Sequence, residues 1–135
     1  MNFLFEIVVT VGTSITRIGS FCSGTVSDSR KEISSPNYSN NYTSNRDCEW
    51  SITAQTGTRI ELQFLDFQTQ TRDYLRIHDG SSRYSNQIGS NLFGQSLPNN
   101  ILSTGNQMYL SWNADSSDGE AKGFKIKVRT ISKHY

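Results

Sequence analysis

From Cys22 onward, apolar and polar residues alternate in short runs separated by turn-forming residues, and no apolar stripe repeats every three or four positions for long enough to make a helix. In Cys48-Glu49-Trp50-Ser51-Ile52 the alternation puts Cys48, Trp50 and Ile52 on one face, and Gly57 marks a turn before the next run. Across 59–64, Ile60, Leu62 and Phe64 share an inner face while charged and amide groups point out. The run 73–80 turns Leu75 and Ile77 inward and stops at Asp79-Gly80, a turn signal. Runs at 108–112 and 124–129 complete the series. Strands with one apolar and one solvated face predict an all-β fold, an antiparallel two-sheet β-sandwich. The three outward cations of the last run, Lys125, Lys127 and Arg129, read as a charged sheet edge that discourages aggregation.

The 135 residues suffice for one domain. Only 34% are hydrophobic but 11% are aromatic, which calls for a core of aromatic and β-branched side chains. Thirteen basic against twelve acidic residues give a net charge of +1, without the basic stripe that nucleic acid would require. The reading divides the chain into an N-terminal extension at 1–21, a domain at 22–130 and a tail at 131–135. In the extension, Phe3-Leu4-Phe5 and Ile7-Val8-Val9 are interrupted by Glu6, which makes a poor secretory signal. A signal-like segment, a fragment boundary and an added strand all stay open. The run is too short to cross a bilayer, and no other stretch offers a membrane span.

Cys22 and Cys48 admit three readings: buried thiols, metal ligands helped by His78 or His134, or a disulfide. A disulfide would stabilise by roughly 3 kcal/mol in an oxidising compartment. Asn37-Tyr38-Ser39 and Asn41-Tyr42-Thr43 fit the N-glycosylation pattern within a polar stretch, which favours that compartment. Support for an enzyme is thin. His78 reads as a solvated strand residue and His134 lies in the tail, with no G-x-S-x-G or H-E-x-x-H motif nearby. Asp66 and Asp73 make a poor glycosidase pair, because a small sandwich offers no deep cleft.

Seven landmarks occur in order: Cys22 with Gly24; Ser35-Pro36-Asn37-Tyr38 with Tyr42; the run 48–52; 62–67; 73–80; 103–108; and Gly123-Phe124. Together they resemble the CUB domain family over nearly all of Cys22 to about Thr130. The resemblance implies a jelly-roll-like sandwich in a secreted or extracellular protein. Such a module binds proteins or glycans without catalysing a reaction. It often belongs to a larger modular protein, such as a complement-type serine protease or an astacin metalloprotease, and the resemblance implies that this chain is a part of one. Many members carry a second disulfide where this chain has 70–72 and 90–94 without cysteine, so the loop 81–98 is expected to be more mobile.

A subset of the family binds calcium. Matched position by position, Asp73 and Asp115 stand at two aspartates, Asp118 at an Asn, Gln70 where a Glu is expected, and Tyr42 at a bracing Tyr. Gln70 removes one anionic ligand and Asp118 restores one, which leaves the charge suited to a hard cation. The other reading of 115–119 is an ordinary loop of Asx turns. With calcium, an exposed ligand carboxylate would pair with a Lys or Arg of an extracellular protein partner. The competing partner is a glycan stacked on Tyr38, Tyr74, Tyr84 or Phe93.

Overall fold

The computed structural model describes residues 8–13, 25–27, 32–42, 46–114 and 121–132. Among them every regular element is a strand: β1 Val8–Thr13, β2 Thr25–Ser27, β3 Glu32–Ser34, β4 Arg46–Thr53, β5 Thr58–Gln68, β6 Tyr74–Asp79, β7 Asn86–Gln87, β8 Ile101–Leu102, β9 Gln107–Ala114 and β10 Gly123–Ser132. They form two five-stranded antiparallel sheets, in the orders β1-β4-β9-β6-β7 and β2-β3-β10-β5-β8. The expected two-sheet sandwich is what the chain makes. The added-strand reading holds for residues 8–13, which pair with β4 from Val8↔Thr53 to Thr13↔Cys48.

Alternation explains the core. Trp50, Ile52, Ile60, Leu62, Leu75, Ile77, Leu110, Trp112, Phe124 and Ile126 are all essentially inaccessible to solvent. Phe124, on β10 of one sheet, packs across onto two large rings of the other, 5.9 Å from Trp50 on β4 and 5.2 Å from Trp112 on β9 in edge-on contacts. Each such pair stabilises by about 0.5–1.5 kcal/mol beyond the apolar area it buries.

Three features depart from the expectation. β10 is no edge: β3 flanks it on one side and β5 on the other. Its outward cations therefore answer acids across the strands, Lys125 to Glu32 at 3.5 Å and Arg129 to Glu61. The alternation of β5 breaks where Lys125 faces Asp66 and Ile126 faces Phe64, a bulge that throws Leu65 outward and returns Phe67 to the core. The loop 81–98, finally, is tied where looseness was expected. Leu92 and Leu75 exchange both backbone bonds, at 2.9 and 3.0 Å. Thr69 and Gly94 are joined twice, Thr69 N–H to the Gly94 carbonyl at 2.8 Å and Gly94 N–H to Thr69 Oγ1 at 2.9 Å. This ladder occupies the place where a second disulfide was missed.

Candidate functional site

At one end of the sandwich, the turn between β5 and β6 brings Gln70 and Asp73 against Tyr42. Tyr42 is buried, its ring edge-on to Trp112 at 5.1 Å, and its N–H donates to the Ala121 carbonyl at 3.1 Å. Its hydroxyl donates to Asp73 Oδ2 and accepts the Gln70 backbone N–H at 2.9 Å. The turn is closed by Asp73 N–H donating to the Gln70 carbonyl at 3.1 Å, and Asp73 has no solvent exposure. The structure thus brings Tyr42, Gln70 and Asp73 together.

Asp115 and Asp118 lie outside the described residues. The positions that bracket them are nonetheless fixed: Asn113 sits opposite Tyr74 in the β6–β9 register, and Ala121 is bonded to Tyr42. Among the described residues no group of three or more His, Cys, Asp or Glu side chains converges. The side-chain donor placed here, the buried Asp73 carboxylate, is an oxygen, which suits a hard cation rather than a soft one.

A second cluster adjoins the turn at Pro36. The Tyr38 hydroxyl donates to Asp66 Oδ2, and Lys122 Nζ lies 2.8 Å from the same oxygen. Burial, reinforced by the bond to Asp66, pushes the Tyr38 hydroxyl up to about 12. Burial alone would raise the Asp66 carboxyl, but the Lys122 and Tyr38 bonds outweigh it and hold Asp66 below the usual carboxylate range. Asn37 and Asn41 are exposed here, with Asn37 Nδ2 donating to the Asn41 carbonyl at 2.9 Å. Thr43 of the second glycosylation triplet lies outside the described residues.

Cys48 is buried and disulfide-bonded. Cys22, the other cysteine of the sequence, lies outside the described residues. His78 points outward from β6 as expected, yet it is not solvated. The loop after β6 covers it, and its Nδ1 bonds the Ser85 carbonyl at 3.0 Å. Of the aromatic residues offered as glycan platforms, Tyr84 is 88% exposed, Tyr38 is tied to Asp66, and Tyr74 meets Phe93 edge-on at 5.6 Å. Sequence reasoning missed the polar network around Arg76, whose hydrogen-bond partners Asn91 and Asn113 come from two distant parts of the chain.

Comparison with known proteins places these features. The family model described as CUB domain matches residues 22–128. Rat cubilin is 37% identical over 109 residues, covering 80% of this chain and 3% of cubilin. Human tumor necrosis factor-inducible gene 6 protein is 37% identical over 111 residues, covering 78% of this chain and 39% of that protein. The chain therefore spans well under two thirds of these relatives. Among solved structures, the MASP-1 CUB2 domain bound to Ca2+ superposes with a TM-score of 0.63 at 27% identity, covering 73% of this chain and 89% of that one.

Proposed function

The chain belongs to the CUB domain family, a family of extracellular modules, and from that membership we propose that it is a non-catalytic protein-binding module whose binding end is organised by calcium. The observation that carries this reading is the buried Asp73 carboxylate, braced by the Tyr42 hydroxyl beside Gln70. Asp73, Asp115 and Asp118 supply three carboxylates to the ion and Gln70 an amide oxygen, in keeping with the anionic, oxygen-rich set that calcium requires. Bound there, the ion would supply the fixed positive charge that lets these carboxylates share one site. A ligand carboxylate left at the surface then pairs with a Lys or Arg of an extracellular partner, a contact steered by charge and weakened by salt. Cys22 pairs with Cys48, and Asn37 and Asn41 carry glycans. The module serves as one part of a larger protein.

Isothermal titration of the calcium-stripped chain tests the reading. One calcium ion per chain is expected to bind, and Asp118→Asn, which leaves the Asp73–Tyr42 bond intact, is expected to weaken it at least about ten-fold. Absence of binding heat would remove the calcium site, and equal affinity in the variant would remove the Asp118 charge from it.

A further inference from the structure

The outward face of the sheet β1-β4-β9-β6-β7 carries an arginine held by two amides and an aromatic ring. Arg76 Nη1 donates to Asn113 Oδ1 at 2.7 Å and Arg76 Nε to Asn91 Oδ1 at 3.1 Å. Both amides are themselves fixed: Asn113 Nδ2 donates to Asp47, and Asn91 Oδ1 also accepts Gln87 Nε2 at 2.9 Å. The guanidinium lies 5.3 Å from the centre of the Tyr74 ring, which Phe93 holds in turn. All these partners are neutral. Arg83, Lys122, Lys125 and Arg129 each have a carboxylate partner, whereas among the described residues none comes within ion-pairing distance of Arg76.

Arg76 lines a cleft of about 230 Å³ together with Asp47, Glu49, Arg83, Ser111 and Asn113. The acids of this cleft are engaged from within. Glu49 holds Arg83 at 2.7 Å, while Asp47 accepts from Asn113. A pre-oriented guanidinium without a counter-ion, facing space, is a carboxylate receptor whose ordering cost has already been met by folding. The rest of the lining selects the carrier. Two carboxylates against two guanidiniums leave the lining without the net positive charge that would draw a polyanion such as an acidic peptide, and the oxygens of Asp47 and Glu49 are acceptors for hydroxyls. Ser111 and Asn113 add further polar contacts between them.

We propose that this cleft binds a carboxylated sugar, its single carboxylate on Arg76 and its hydroxyls on the Asp47–Glu49 wall. The site adjoins the calcium end, but Arg76, Asp47 and Glu49 are not among the residues assigned to the ion, so the proposal does not rest on that reading. The test is an NMR titration of the full chain with the methyl glycosides of glucuronate and of N-acetylneuraminate, each beside its own methyl ester. The ester removes the charge and adds only a methyl group. At least one acid is expected to shift the amides of Arg76, Ser111 and Asn113, with its ester at least about ten-fold weaker, and Arg76→Gln is expected to abolish the acid's advantage. Which acid binds identifies the sugar. Equal binding of acid and ester, shifts confined to another face, no shift at millimolar concentrations, or tighter binding of a polyglutamate peptide would each overturn the proposal. Should Arg76→Gln fail to fold, the acid–ester comparison and shift map on the unaltered chain still decide.

Discussion

Gly123 has no room for a side chain: its φ is +94°, and a Cβ built there would lie 1.8 Å from Ser35 Oγ. That hydroxyl is fully buried and accepts the Phe124 N–H at 3.0 Å, while Ser35 N–H donates to the Phe124 carbonyl at 3.0 Å. Gly123→Ala is therefore expected to cost about 2–4 kcal/mol, joining left-handed strain to displacement of a buried contact. Urea denaturation reads this directly, and a midpoint equal to wild type would contradict it. Ser103 has a comparable place, its Oγ accepting the Ile60 N–H at 2.8 Å and donating to the Gly105 carbonyl at 2.6 Å. Both serines stood among the landmarks that resemble the family, but alternation gave no reason for them. A serine within a polar stretch looks solvated until the strand that covers it is known. Trp50, Leu62 and Ile77 were legible because period two assigns an inner face without reference to any partner.

Among the elements, β4, β5, β6, β9 and β10 were legible for the same reason. β2, β3, β7 and β8, two or three residues each, are too short for any period to show. Strand order was also hidden. The cations of β10 suit an edge equally well until Glu32 and Glu61 are seen opposite them. Asp66 makes the clearest link between elements, tying the end of β5 to Tyr38 in the Pro36 turn and to Lys122 just before β10. Its folded pKa is depressed, so the tie contributes stability above the unfolded carboxylate value near about 4 and loses it as pH falls through the lower folded value. The gap in urea midpoint between wild type and Asp66→Asn is expected to be full at neutral pH and to close below about pH 4. A gap that stays constant into strong acid would show that the carboxylate's charge contributes nothing.

At the scale of the whole molecule, the sandwich brings residues distant in sequence to one end, so that Tyr42 meets Asp73 across 31 positions. Only the resemblance made that meeting legible, since neither residue belongs to a local motif. The Arg76 cleft was not legible at all, because its parts lie on β4, β6, β9 and the loop after β7. Calcium at the Asp73 end would convert a stable sandwich into one with an ordered binding surface. Amide hydrogen exchange of the full chain, in calcium and in EDTA, tests this most directly. Calcium-dependent ordering predicts slower exchange at Gln70, Asp73 and 115–120 when the ion is present, with β5 and β10 unchanged. Identical exchange at all of those amides in the two conditions would contradict it.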